Sequence, residues 1–150
     1  MTTLAYKDGT LAADSGAWVG NVMHRTATKI VKDSLGRLHG VVGNAGEATT
    51  YLNWVKSGME GPPPKPTEID PKDSASSFIA LIIELDGTIY MHTAGGQEEH
   101  IGAPYFALGS GSEFAMGAMY AGGSAETAVY AAAAHSNYAA TPIITMRLGL

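Results

Sequence analysis

Apolar positions alternate with polar ones in short runs over the first third of the chain, and then change period. Thr3 to Tyr6 and Leu11 to Ala13 flank Lys7-Asp8-Gly9-Thr10, and Asp-Gly between two short apolar runs predicts a β-hairpin. Trp18 to Met23 and Lys29 to Val31 read as two further short strands, Asp33-Ser34-Leu35-Gly36 as a turn, and Arg37 to Val42 as a strand broken by Gly43-Asn44-Ala45-Gly46. From Glu47 the period becomes helical: Tyr51, Leu52, Trp54 and Val55 share one face, with Gly58 as the stop. Gly61-Pro62-Pro63-Pro64-Lys65-Pro66 supplies too few backbone donors for a helix or a central strand, so 59–76 is expected to be a surface loop within one domain spanning 1–150.

Extended patterns return at Phe78 to Glu84, at Thr88 to His92 beyond an Asp86-Gly87 turn, and at Tyr105 to Leu108. Glu98-Glu99-His100 reads as a solvated loop. Ser112 is placed to cap a helix reaching about Ala121 and Ser124 a second reaching about His135, with the alanines 131–134 allowing close packing. Ile143 to Leu148 closes the chain as a strand. Strands, helix, strands, two helices, strand is an α+β order in which helices cover sheet faces.

Composition narrows the function. A 45% hydrophobic content is that of a folded domain, and a net charge of −5 with no basic run argues against nucleic acid or an anionic membrane as partner. The absence of cysteine removes disulfides, thiol chemistry and thiolate–metal sites. The five histidines, His24, His39, His92, His100 and His135, have no metal-ligand spacing. The first residues lack a cationic start and apolar run, and no apolar stretch approaches the roughly 20 residues of a membrane helix, so a cytoplasmic protein is expected. Phe114, Met116, Met119 and Tyr120 read as packing or subunit-contact surface.

Met1-Thr2 offers one chemical possibility. Loss of Met1 would expose Thr2 with a free α-amine, whose ordinary pKa near 8 suits it to take the proton of its own hydroxyl. Such a nucleophile also needs a buried cation, a carboxylate to fix that cation, and an amide to hold the oxyanion. Singly, Asp14 reads as a turn or cap residue and Lys29 as a strand-edge charge. In order along the chain, "TTLAYKDG…LAADS", "TKI", "VVGNAGEATTY" and "ALGSGSEFAMGAM" resemble segments of proteasome β subunits and HslV-type threonine hydrolases. Fourteen positions separate Lys29 from Gly43, as in that family. Twelve separate Thr2 from Asp14, a hairpin shortened by an even number, which leaves every side chain on its original face.

The resemblance implies a four-layer αββα sandwich of two antiparallel sheets, with the family's second helix replaced here by the Pro-rich loop. It implies Thr2 as nucleophile with its amine as base, Asp14 and Lys29 as the supporting ion pair, Gly43 as oxyanion donor, and Ser110 hydrogen-bonded near the amine. Ala17, Ala27, Val41 and Ala45 would border the specificity pocket and favour bulky apolar side chains. No cofactor or metal is required. A peptide or unfolded protein would be the substrate, a homo-oligomeric ring the assembly, and an ATPase unfoldase a conceivable partner. The short form is most similar to proteasome-like proteins of phages and prophages. One departure stands out: Ser136 and Ala139 occupy the positions of the family's supporting Asp and Ser before the last strand. A second expectation is therefore a structural or assembly protein that keeps the fold without the activity, and a third is hydrolysis of a small amide.

Overall fold

Asp8 and Gly9 both adopt positive φ (50° and 78°), the requirement of a tight turn that matches strand twist, and they join β1 (Thr3–Lys7) to β2 (Thr10–Ala13). The register, Leu4 opposite Ala13 and Tyr6 opposite Leu11, puts Leu4, Tyr6, Leu11 and Ala13 on one face and Ala5 and Ala12 on the other. Both faces are buried, so the hairpin reads as nearly continuous apolar sequence.

The computed structural model describes residues 1–72, 75–96 and 98–150, with side chains outside 98–100. After the first hairpin come β3 (Ala17–Val19), β4 (Val22–His24), β5 (Ile30–Lys32), β6 (Leu38–Gly43) and α1 (Ala45–Lys56). There follow β7 (Glu68–Asp70), β8 (Ala75–Ser76), β9 (Phe78–Ile83), β10 (Ile89–His92), β11 (Glu98–Ile101) and β12 (Tyr105–Gly109). The chain ends with α2 (Ser112–Tyr120), α3 (Ala125–His135) and β13 (Ile144–Arg147).

One sheet has the order β12-β1-β2-β13 and the other β11-β10-β9-β6-β5, every pairing antiparallel. They face each other across a core of Leu4, Leu11, Ile30, Leu38, Leu81 and Ile83. On the outer face of the first sheet, α2 and α3 pack Met119, Ala128 and Val129 against Ala5 and Ala12. On the outer face of the second, α1 packs Tyr51, Leu52 and Val55 against Val31, Val41, Phe78 and Ala80. The layers are thus helix, sheet, sheet, helix, with α1 alone on one side among the described residues.

Several sequence expectations are corrected. Trp18 to Met23 is a separate hairpin, β3–β4, turned at Gly20 (φ 59°). Glu98 to His100 is strand, not loop, because its backbone pairs with β10; its solvation lies outside the described side chains. The 59–76 loop contains the β7–β8 ribbon, with residues 73 and 74 outside the described set. Helix α1 begins two residues early because the Asn44 side chain accepts from Glu47 N at 3.0 Å. Gly111, not Ser112, precedes α2, whereas Ser124 does cap α3 by accepting from Thr127 N. Met119 is core, but Phe114 and Tyr120 remain exposed.

Beneath α1 lies a buried polar chain that has no signature in the sequence. His39 is fully buried, with Nδ1 2.9 Å from the Tyr51 hydroxyl and Nε2 2.9 Å from Asp33 Oδ2. A carboxylate only accepts, so Nε2–H donates to Asp33 and Tyr51 donates to Nδ1. Burial lowers the His39 pKa against the pull of Asp33, and the ring is neutral at pH 7. Burial pushes Asp33 up, but hydrogen bonds from His39 and Arg37 outweigh it and leave it below its ordinary value. In both cases the unfolded chain takes up its proton first as pH falls. Stability is therefore full above about pH 6.5 and declines below it, by up to about 1.4 kcal/mol per unit from His39, then again through the carboxylate range from Asp33. Urea midpoints between pH 7.5 and 5 should fall, and His39→Asn should flatten that slope.

Candidate active site

Asp14, at the end of β2, is the junction of this region. Its side chain is fully buried, and each carboxylate oxygen accepts twice. Oδ1 takes Lys29 Nζ and Thr3 N, both at 2.9 Å; Oδ2 takes Gly16 N and Ala140 N, both at 3.1 Å. Four segments thus meet on one carboxylate: the start of β1, the exit from β2, the entry to β5 and the turn before β13. Lys29 is buried too, and its ammonium also donates to the Met1 carbonyl at 2.8 Å. Burial lowers the Lys29 pKa, opposed by Asp14. The Met1 α-amine lies below its ordinary value, first through burial and then through the nearby Lys29 charge.

Thr2 is held by its main chain. Its carbonyl accepts from Ser110 N at 2.8 Å, and the residue is only 8% exposed. Gly109 (φ 101°) makes that approach possible, since a Cβ there would collide with the Thr2 carbonyl. Thr3 follows with its hydroxyl accepting from Gly111 N at 3.1 Å. The Gly-Ser-Gly segment is therefore a backbone cradle for the amino terminus. Ser110 is itself exposed and meets Thr2 through its amide.

Thr2, Lys29 and Gly43 line one cleft of about 350 Å³. Gly43 ends β6 with φ 113°, and a Cβ there would stand 2.5 Å from the Ser77 carbonyl oxygen, so only glycine fits. The four candidate specificity residues, Ala17, Ala27, Val41 and Ala45, line the same cleft, with Trp18, Thr28, Ala48 and Leu52 added to its walls. Eight of the nine sequence candidates converge there, with Asp14 behind Lys29 included, while Ser110 adjoins Thr2 from outside it. Among the described residues no cluster of three His, Asp or Glu side chains could hold a metal ion.

The altered turn before the last strand also reaches this place. Ala139 and Ala140 are buried, Ala140 donates to Asp14, and its carbonyl accepts from Ser15 N at 2.9 Å. Ser136 instead ends α3, its hydroxyl accepting from Tyr138 N. Gly109 and Ala140 escaped the sequence reading because they act through their backbones, which leave no side-chain signature, and Thr3 because its amide and hydroxyl meet Asp14 and Gly111 only in the folded chain.

No protein-family model and no curated protein sequence matches the chain. Solved structures do. Thiobacillus denitrificans BPH superposes with a TM-score of 0.68 at 21% identity, over 99% of this chain and 98% of that one. The same protein in complex with epoxomicin gives 0.68 at 20%, over 99% of each. The eukaryotic HslV of Trypanosoma brucei gives 0.68 at 16% identity over the whole of both chains. The chain has the HslV fold. In this HslV-like frame α1 packs over the sheet that carries Val41 and Gly43, and the first hairpin brings Thr2 and Asp14 to the edge of the cleft. No helix of the described residues is long and apolar enough to cross a membrane.

Proposed function

We propose that the chain, as a single domain, is a threonine-type amide hydrolase acting on peptides, with Thr2 as nucleophile once Met1 is removed. The observation that carries this reading is the Asp14–Lys29 pair, buried and directed at the Met1–Thr2 peptide group. An ammonium 2.8 Å from that carbonyl stands where it would stabilise a threonine alkoxide and depress the adjacent amine. Thr2 Oγ attacks the substrate carbonyl while the α-amine takes its proton, and Gly43 N–H holds the oxyanion. The amine returns the proton to the leaving nitrogen, and water then cleaves the acyl-enzyme ester. No cofactor enters. The HslV fold supports assembly as a homo-oligomeric ring; a cytoplasmic setting, an ATPase partner and a phage or prophage source belong to the same proposal and rest on the sequence resemblance alone.

The backbone of Ala140 supports activity despite the missing side chains at 136 and 139, because it supplies Asp14 with a donor that needs no side chain. The second reading, an assembly protein that only keeps the fold, draws on Ala139, which brings no hydroxyl to the site. Incubation with epoxomicin, the compound captured with the BPH neighbour, separates the two. Chain lacking Met1 should gain one equivalent by intact mass, with the adduct on Thr2, and Thr2→Ala should gain none. Trimmed, folded chain that stays unlabelled would favour the structural reading, and a panel of small amides would test the third.

A further inference from the structure

Beside the nucleophile's cleft lies a second cavity of about 440 Å³, and one residue, Trp18, lines both. Its position depends on Gly16. A Cβ on Gly16 would stand 2.8 Å from indole Cη2 and 2.9 Å from the Ala140 methyl, so the bare glycine is what lets the six-membered ring and Ala140 approach the backbone there. Trp18 pairs with Met23 across the β3–β4 hairpin, and Met23 also lines the second cavity. The hairpin is tied down at its base, where Arg25 donates to the Thr141 carbonyl at 3.0 Å and to its hydroxyl at 3.2 Å. The rest of the wall is mixed: the methyls of Ala133, Ala139 and Ala140 stand beside Asn137, Arg25 and Thr141, so Trp18 and Met23 supply its large apolar surface. The alanine at 139 therefore does more than omit a hydroxyl, since it lines the same cavity as the indole with a small side chain.

We propose that Trp18 is a specificity-determining residue, the partition between the cleft at Thr2 and a second subsite that takes an aromatic or bulky apolar side chain stacked on the indole. The inference rests on the peptide-hydrolase reading for the identity of the ligand but not on turnover. A substrate extending from Thr2 past Trp18 meets the partly exposed ring, and a flat side chain there gains stacking as well as burial.

Binding is read separately from catalysis in a Thr2→Ala, Trp54→Phe chain, where Trp18 is the sole tryptophan. Capped tetrapeptides, varied between Phe and Ala at one position at a time, are titrated against its fluorescence. At one position Phe should bind about three- to tenfold more tightly than Ala. Competition against a dye-labelled peptide should show that preference lost in Trp18→Ala and largely kept in Trp18→Phe. A Phe preference unchanged in Trp18→Ala, or no peptide perturbing Trp18, overturns the proposal. Failure of epoxomicin to label Thr2 with the preference intact would instead count against the nucleophile alone.

Discussion

Asp14→Ala should be the most damaging single substitution in the amino-terminal region, lowering stability by about 3–5 kcal/mol. The cause is the number of groups it strands. Lys29 would remain as a buried ammonium without its counter-charge, and the amides of Thr3, Gly16 and Ala140 would lose their acceptor together. Lys29→Ala should cost less, because Asp14 would keep those three backbone donors and the Met1–Thr2 carbonyl would lose only one. The two changes share a partner, so the double variant should be clearly less destabilised than the sum of the singles. Urea denaturation of the four chains measures this cycle. Both single variants should also lose epoxomicin labelling, but for different reasons: Asp14→Ala by releasing the β1 terminus, Lys29→Ala by removing the charge beside an otherwise intact Thr2. Equal stability losses, or strict additivity, would mean that the carboxylate is not the junction the geometry describes.

How far the sequence revealed this arrangement depended on what kind of group does the work. Asp14, Lys29 and Gly43 were legible only as an ordered set, through the family resemblance, since singly Asp14 reads as a turn or cap residue and Lys29 as a strand-edge charge. The first hairpin was legible for a local reason, Asp8-Gly9 in a turn requiring two positive φ angles. The β3–β4 hairpin was not, since its strands are three residues long and pair only with each other. Strand β11 was hidden by Glu-Glu-His, a polar run whose extended form is imposed by its partner β10. The Asp33–His39–Tyr51 chain was invisible because its members come from a turn, a strand and a helix that only tertiary packing unites. Trp18 announced an aromatic but not its location; that depends on the empty space over Gly16 and the small residue at 140.

Once this chain has folded with Met1 in place, a methionine aminopeptidase should no longer be able to remove it. The Met1 side is reachable, at 58% exposed, but the bond to be cut is not. Its carbonyl is engaged by Lys29, Thr2 is anchored through Ser110 N, and the fully buried Thr3 donates to Asp14. An exopeptidase must polarise the first carbonyl and draw the next residues out of the fold, which breaks all three bonds. At about 1 kcal/mol each, and more for the two that involve a charge, the open form is disfavoured by at least about 3 kcal/mol, so trimming should slow by at least about 100-fold. The comparison is direct: folded Met1 chain and a synthetic peptide of residues 1–12, each treated with the same aminopeptidase and followed by mass. Peptide that is trimmed while the folded chain keeps Met1 is the expected outcome. Equal rates would show that β1 opens readily, and loss of Met1 from folded chain without added enzyme would show that the chain cuts itself. If the expected outcome holds, trimming must precede docking of β1, and the fraction of chains labelled at Thr2 is fixed before the sheet forms.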